Sequence, residues 1–425
     1  MTFRPPRLLH VIGPGLLVAA TGVGAGDLAS AGFAGSKLGL VVLWAVVVGA
    51  AMKYVLNEGL ARWQLATDTT LLEGVSNHIG RWAILLFLIY LLPFTFVVGG
   101  ALITATGVAT HAIVGWPADP ETATLVWGGL GSAVATLLVL LGSFALFERV
   151  MAVGIVIMFV AVCLTALLLG PDWGAAARGL VPSHPGEGEA LDWTVALVGG
   201  VGGTVTVLCY GYWMRQAGRS GTGFLRTCRV DLLVAYVFTA LFGIAMLVIA
   251  SGIEVEGRGT GLLVSLSKQL DAALGPVGSG IFLVGAWAAI VSSLLGVWQS
   301  VPMLFTDAVR SLWGLPHVRS ERLGSTRVYR VFLLLLASVP MLQVGFGYAA
   351  AQKAYAELEA TEPSRARSRS RRRIRRTRRW SPGSDRCRTS AAPSRGRARA
   401  AGGPPTGTAR RRRARRRPRS RRSRP

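Results

Sequence analysis

Asp27 is a carboxylate inside the first long apolar stretch of the chain, where it closes the glycine-rich run ATGVGAGD at residues 20–27. A charged side chain within an apolar span is costly, so by default it faces a polar cavity and is a candidate functional group. The neighbouring glycines free backbone carbonyls, which lipid tolerates only where they line a cavity or another helix. A carboxylate beside free carbonyls suits a hard cation. Asp27 could also cap the short helix after the break, and the two roles are compatible.

A second glycine-rich run, GGVGGTVTVLCYG at residues 199–211, interrupts the sixth apolar stretch. Broken helices at corresponding places in two halves of a chain indicate a substrate site near the middle of the membrane in transporters built from inverted repeats. Glycines in such positions also serve as packing seams between helices. The spacing alone favours neither interpretation, and the carboxylate of Asp27 shifts the balance towards a binding site.

The elements that must position these runs are membrane-spanning helices. The chain has 425 residues, 51% of them hydrophobic, and a mean hydropathy of +0.47. Its apolar residues gather in blocks long enough to cross a bilayer as helices, and they lack the alternation of barrel strands. The sequence therefore predicts an all-α polytopic membrane protein. About nine spans are predicted, at residues 8–34, 38–62, 82–108, 123–143, 147–170, 193–214, 229–252, 276–306 and 328–346.

The distribution of arginine predicts the orientation of these spans. Short cytoplasmic loops are enriched in Lys and Arg. Arginines concentrate in the loop between spans six and seven and in the loop between spans eight and nine. We therefore expect a multi-pass protein of the cell membrane with its N-terminus in the cytoplasm.

Almost all of the net charge of +25 lies in residues 361–425, which hold 26 Arg and no Lys against two acidic residues. Such a segment cannot form a core and is typical of disorder. A basic arm for nucleic acid is one interpretation. However, a tenth span begins near Ala349 and fails at Glu357, and the Arg-rich segment arises abruptly inside what should be that span, which favours a shift of reading frame near residue 357. A hydrophobic continuation in another frame would support that hypothesis, and its absence would refute it.

Two units follow from this change in composition. Residues 1–356 are predicted to form a transmembrane transporter domain that is incomplete at its C-terminal end, and residues 357–425 an Arg-rich disordered tail that is a candidate frameshift product. We expect the lipid bilayer to surround the spans and expect no nucleic-acid partner. The residues give no indication of the oligomeric state.

Several of these stretches resemble the Nramp family of divalent-metal transporters. GPGLLVA at residues 13–19 is similar to the opening of that family, and AGSKLG at residues 34–39 is similar to the segment that follows its first motif. The first broken helix of the family carries D-P-G-N and the sixth carries M-P-H. Alignment from the flanking residues places these motifs on residues 24–27 and 208–210 of this chain.

The chain departs from both motifs. The first carboxylate of the family corresponds to Gly24, and the carboxylate here stands at the position of the asparagine, as Asp27. The methionine corresponds to Leu208 with the thiol of Cys209 beside it, and the histidine corresponds to Tyr210. Soft sulfur ligands favour transition metals, whereas oxygen-only sites suit Mg²⁺ or Mn²⁺. The resemblance is thus to a divergent branch such as the Nramp-related magnesium transporters.

The resemblance also implies a ligand set. By the family's pattern, the backbone carbonyls of Thr21 and Val205 coordinate the ion together with Asp27, and the hydroxyls of Thr204 and Thr206 could add oxygen ligands. The predicted metal site therefore consists of Asp27, Thr21, Val205, Cys209 and Leu208, and the candidate pathway residues are Gly24, Thr204, Thr206, Tyr210 and Gln299.

Other polar residues within the predicted spans are weaker candidates for the ion site. Lys53, Asn57, Glu58 and Arg62 recur at helical spacing on the second span, which favours structural pairing over transport. The third span, residues 82–108, has no acid or histidine, so no proton path is predicted through it. Serines 292 and 293 of the eighth span either line the pathway or join helices.

The function that these features favour is transport of divalent metal cations, of the Mg²⁺ or the Mn²⁺/Fe²⁺ class, by alternating access. The resemblance implies two inverted five-helix repeats of the leucine-transporter-like kind, with helices 1 and 6 broken. No P-loop or redox motif is present, so neither an enzyme nor a cofactor is expected, and the metal is substrate. One alternative is an amino-acid or other organic-solute symporter of the same fold. The other is a membrane-anchored nucleic-acid binder acting through the basic tail.

Overall fold

The computed structural model describes residues 7–183, 188–252, 261–315 and 320–345, and every regular element in these ranges is helical. The α-helices are α1 Arg7–Gly22, α2 Ala25–Leu38, α3 Leu43–Thr67, α4 Leu71–His78, α5 Arg81–Val114, α6 Pro120–Leu141, α7 Phe144–Leu168, α8 Trp173–Gly179, α9 Glu189–Gly200, α10 Val205–Gln216, α11 Leu225–Ser251, α12 Gly261–Trp313, α13 Ser320–Leu323, α14 Arg327–Ser338 and α15 Leu342–Gly345. Short 3₁₀ turns occupy Gly39–Val42, Thr222–Phe224 and Val339–Met341.

Within the described ranges, eight stretches are long and apolar enough to cross a membrane. The first of them, Ala25–Thr67, contains two helices, α2 and α3, joined by a 3₁₀ turn. Helix α1 has only 16 residues and forms the first half of a broken span with α2. The nine predicted spans therefore coincide with helices or pairs of helices, which confirms the all-helical membrane fold.

The predicted eighth span, residues 276–306, begins at a break inside α12, which extends over Gly261–Trp313. Gly275 has a φ of +74° and is followed by Pro276, so the helix changes direction there. A residue with positive φ before a proline interrupts a helix, which is why the predicted span begins at this point. The helical segment before Gly275 was not predicted, and the segment after it continues past residue 306 to Trp313. The predicted tenth span near Ala349 and the tail at residues 357–425 lie outside the described residues.

Several helices, among them α4 and α6, begin with a capping side chain. Thr70 and Glu73 form a reciprocal capping box at the beginning of α4. The carboxylate of Asp119 accepts a hydrogen bond from the Thr122 amide of 2.8 Å at the beginning of α6. Hydrogen bonds from the side chain and backbone of Thr122 lower the pKa of Asp119 below its usual range. Such caps satisfy amide groups that a helix leaves unpaired, so the spans begin at defined residues.

Candidate ion-binding site

The first break separates α1, which ends at Gly22, from α2, which begins at Ala25. Helix α12 supports the carbonyls on the α1 side of the break. Ser292 donates a hydrogen bond of 3.0 Å to the carbonyl of Ala20, and Ser293 donates one of 2.8 Å to the carbonyl of Thr21. The sequence left open whether these two serines line the pathway or join helices. In the structure they join α12 to the first break.

The second break separates α9, which ends at Gly200, from α10, which begins at Val205. Gly202 and Gly203 adopt φ angles of +75° and +64°. Only glycine enters this left-handed region at little cost, which is why two consecutive glycines stand here. The amide of Gly203 donates to the Gly200 carbonyl at 3.0 Å, which tightens the turn.

The two breaks touch each other. A Cβ added to Gly22 would lie 2.5 Å from the carbonyl oxygen of Gly202, and a Cβ added to Gly203 would lie 3.6 Å from the Cα of Gly22. The backbones of the two breaks are thus in direct contact, and a side chain at position 22 would prevent this contact.

We expect Gly22→Ala to separate the two breaks and to destabilise the protein. Overpacking of this kind costs typically about 1–3 kcal/mol, so the thermal unfolding midpoint of the detergent-solubilised protein should fall by several degrees. Gly59→Ala is the matched control, because Gly59 lies in α3 with open space where its Cβ would be. In that helix alanine should be neutral or stabilising by up to about 1 kcal/mol. Equal midpoints for the two variants would contradict the close contact.

A cavity of about 390 Å³ lies beside both breaks, with further walls from α5 and α12. Seven of the predicted site and pathway residues line it: Thr21, Gly24, Asp27, Thr204, Val205, Thr206 and Cys209. Asp27 is the only acidic side chain among the described residues of its lining. The structure therefore brings together a carboxylate, hydroxyls, a thiol and the backbone of both breaks.

Asp27 is buried, with 8% of its surface exposed. Its Oδ1 accepts a hydrogen bond of 3.4 Å from the amide of Gly202, so the carboxylate of the first break contacts the backbone of the second. The N-cap of α2 is Gly24, whereas Asp27 lies in the first turn of that helix. The carboxylate is therefore placed where the positive end of the helix dipole favours it, without being the capping residue.

Three other predicted ligands lie around this carboxylate. The hydroxyl of Thr21 is buried and has no hydrogen-bond partner among the described residues. The thiol of Cys209 donates to the carbonyl of Val205 at 3.3 Å, so that carbonyl already has one partner. An unpartnered buried hydroxyl is an oxygen donor that an ion or a water would satisfy.

Leu208, Tyr210 and Gln299 do not line the cavity in the described structure. Leu208 is half-buried in the apolar core. The hydroxyl of Tyr210 donates to Asp231 at 3.1 Å, and Gln299 accepts a hydrogen bond of 2.6 Å from the indole of Trp213. Leu208 and Tyr210 face away from the cavity because α10 begins at Val205 and turns their side chains towards other helices. Gln299 lies on α12, where its side chain contacts the indole of Trp213.

The sequence analysis missed two buried carboxylates. Asp231 on α11 accepts hydrogen bonds from the Gly15 amide at 2.9 Å and from Arg219 at 2.6 Å. Asp307 on α12 accepts hydrogen bonds from the hydroxyls of Thr70 at 2.6 Å and Tyr212 at 2.5 Å. The rule that singled out Asp27, an acid within an apolar span, would have found Asp231, which lies in the predicted span 229–252. Asp307 lies one residue past the predicted span 276–306, so the rule does not reach it.

Conventional metal clusters are not found in the described ranges, where no group of three or more His, Cys, Asp and Glu residues is close enough to hold an ion. Any ion bound at the cavity would therefore rely on one carboxylate supplemented by backbone and hydroxyl oxygens. The sequence predicts oxygen donors of this type together with the thiol of Cys209 and with Leu208, and these ligand roles stay predictions.

The model of a family described as Nramp, natural resistance-associated macrophage protein-like, matches residues 15–355. The chain is 24% identical over 302 residues to the divalent metal cation transporter MntH of Deinococcus radiodurans, covering 68% of this chain and 66% of that protein. It is 22% identical over 328 residues to MntH of Mycobacterium leprae, covering 69% and 72%. A crystal structure of a mutant Eremococcus coleocola manganese transporter has a TM-score of 0.64 at 17% identity, over 84% of this chain and 77% of that one.

Proposed function

Because this chain belongs to the Nramp family, whose members are membrane transporters, we propose that it carries divalent metal cations across the cell membrane by alternating access. The observation that carries the proposal is the contact between two helix breaks beside a cavity with one carboxylate, Asp27. The 66% coverage of the Deinococcus radiodurans transporter means that this chain spans about two thirds of that relative's length.

The donor set favours a hard ion. Asp27 supplies the charge, the carbonyls of Thr21 and Val205 and the hydroxyls of Thr204 and Thr206 supply neutral oxygens, and together they suit Mg²⁺ or Mn²⁺. The position of the family's methionine is occupied by Leu208, which is directed elsewhere. The ion is cargo, and no resident cofactor is proposed.

Alternating access requires α10 to move against α12. At present the hydroxyl of Tyr212 on α10 bonds to Asp307 on α12, and the indole of Trp213 bonds to Gln299 on α12. Both pairs are buried, and they join α10 to α12 in the half of the molecule that follows the second break. With the N-terminus in the cytoplasm, this half is the cytoplasmic one, and these hydrogen bonds must open for release into the cell.

The orientation can be tested with a Lys37→Cys variant in intact cells. Labelling of the new cysteine by a membrane-impermeant maleimide supports a cytoplasmic N-terminus, and protection of that cysteine from the reagent refutes it.

The experiment is uptake into liposomes by the purified full chain, comparing Mg²⁺, Mn²⁺ and a neutral amino acid. We expect concentration-dependent uptake of at least one of the two ions and none of the amino acid. Empty liposomes and liposomes containing heat-denatured protein are the controls. Uptake of the amino acid without either ion would favour the organic-solute symporter.

The two alternatives have less support. A substrate carboxylate would meet the negative charge of Asp27 at the break, which disfavours an amino-acid site. Nucleic-acid binding would depend on the basic tail, which lies outside the described residues. The family match over residues 15–355 concerns the membrane helices and favours transport.

A further inference from the structure

Lys53 is a buried lysine on α3, with 7% of its surface exposed, and its side chain reaches the second helix break. Its ammonium donates a hydrogen bond of 3.0 Å to the carbonyl of Gly203 and lies 3.5 Å from the hydroxyl of Thr204. Both partners line the cavity. The lysine therefore contacts two residues of the wall of the candidate site, although it comes from a helix that the sequence analysis did not assign to that site.

The neighbours of Lys53 on the same helix have different partners. Glu58 contacts Arg62 at 3.5 Å and Arg229 at 2.8 Å, and Asn57 donates to the hydroxyl of Tyr236 at 3.1 Å. The sequence predicted structural pairing for all four polar residues of this span. The structure agrees for Glu58 and Arg62, whereas Lys53 is directed at the break.

Lys53 and Asp27 contact adjacent residues of the same turn. The carboxylate contacts the amide of Gly202, and the ammonium contacts the carbonyl of Gly203. Chain geometry limits the distance between the two charges to roughly 13 Å. A cation bound by Asp27 would therefore lie close to a positive charge that the protein itself supplies.

We propose that Lys53 is a built-in competitor of the transported cation, which lowers the affinity of the site for divalent ions. This inference rests on the proposed function. The carbonyl of Gly203 is an oxygen that the break offers to a cation, and the ammonium of Lys53 occupies it. An incoming dication must either displace the ammonium or bind beside it.

The expected effect is large because the site is buried. With an effective dielectric constant of about 20 and a separation of roughly 13 Å, the repulsion between an ammonium and a dication corresponds to about a 75-fold change in affinity. Displacement of the flexible lysine would reduce this to about tenfold. A transported ion must bind strongly enough to enter and weakly enough to leave. Lys53 would thus favour release.

The test measures Mn²⁺ affinity of the purified full chain by titration calorimetry, together with Mn²⁺ uptake into liposomes. Lys53→Met removes the charge and the donor, Lys53→Gln removes the charge but keeps a donor for Gly203, and Lys53→Arg keeps the charge. Lys37→Met is the matched control, because Lys37 is exposed at the end of α2. Elution profile and thermal midpoint establish that each variant is folded.

We expect Lys53→Met and Lys53→Gln to bind Mn²⁺ about tenfold or more tightly than the wild type, with a lower KM and a lower maximal rate of uptake. Lys53→Arg and Lys37→Met should behave as the wild type. Should Lys53→Met not fold, Lys53→Gln decides. Wild-type affinity, or weaker binding, in a folded neutral variant overturns the competitor role while leaving the proposed function intact. Absence of Mn²⁺ binding in the wild type and in every variant, together with absence of Mg²⁺ uptake in the liposome experiment, overturns the proposed function and this role with it.

Discussion

Asp27→Asn is expected to reduce divalent-ion uptake by about 100-fold or more, without unfolding the protein. The carboxylate is the only acid in the described lining of the cavity. A pair of unit charges 4 Å apart contributes about 4 kcal/mol at an effective dielectric constant of 20, and each 1.4 kcal/mol is a factor of ten. Asparagine keeps the shape of the side chain and an oxygen that can accept the hydrogen bond from the Gly202 amide. The loss of uptake therefore measures the contribution of the negative charge. Liposome uptake of Mn²⁺ and Mg²⁺ measures the effect.

The matched control for this substitution is Asp172→Asn. Asp172 has 68% of its side chain exposed and lies 4.0 Å from the exposed Arg178. Its hydrogen bonds from the amides of Ala175 and Gly174 lower the pKa of Asp172. Uptake should not change in this variant. If Asp27→Asn transports at the rate of Asp172→Asn, then Asp27 is not the principal ligand.

The second large effect is expected in stability. Asp231→Asn leaves Arg219 as a buried positive charge without its carboxylate, since their side chains are 0% and 3% exposed and 2.6 Å apart. Removing one partner of a buried ion pair costs about 3–5 kcal/mol. The thermal midpoint should therefore fall by about 10 °C, on the scale of about 2–4 °C for each kcal/mol. A thermal melt of the purified protein in detergent measures it.

A double substitution separates the lost charge pair from general damage. Asp231→Asn combined with Arg219→Met removes both charges of the pair, so part of the stability should return. The Asp172→Asn variant again serves as control, because an exposed pair contributes about 1 kcal/mol or less. A single Asp231→Asn variant that melts with the wild type would show that this pair does not stabilise the fold.

The fold was largely predictable from composition. Lipid requires every backbone group of a span to be paired internally, so long apolar blocks can only be helices. Both breaks were predictable for a similar reason, because consecutive glycines such as Gly202 and Gly203 remove the preference for a continuous helix and permit positive φ angles. Asp27 was predictable because an ionised side chain beside such a break is too costly in lipid unless it faces a polar cavity.

The partners of the polar residues were less predictable. Asp231 contacts Gly15, which is 216 positions away, and Asp307 contacts Thr70, 237 positions away. No local pattern specifies contacts of that range. Lys53 was assigned to pairs on its own helix because spacing reports which residues share a face, whereas a long flexible side chain can extend to a neighbouring helix.

The orientation of the predicted ligands on α10 was also not predictable from the sequence alone. An alignment by motif placed Leu208, Cys209 and Tyr210 together in the site, but only Cys209 lines the cavity in the described structure. Successive helical residues point about 100° apart, so adjacent positions cannot all face one ion. The binding roles of Thr21, Val205 and Cys209 stay predictions until an ion is located.

The most direct measurement is the position of the ion itself. Crystals of the full chain grown with Mn²⁺ should show an anomalous difference peak at coordination distance from the carboxylate of Asp27, between the carbonyls of Thr21 and Val205. That peak should be missing in crystals of Asp27→Asn grown in the same way. A peak away from both helix breaks, with the cavity free of Mn²⁺, would contradict the account.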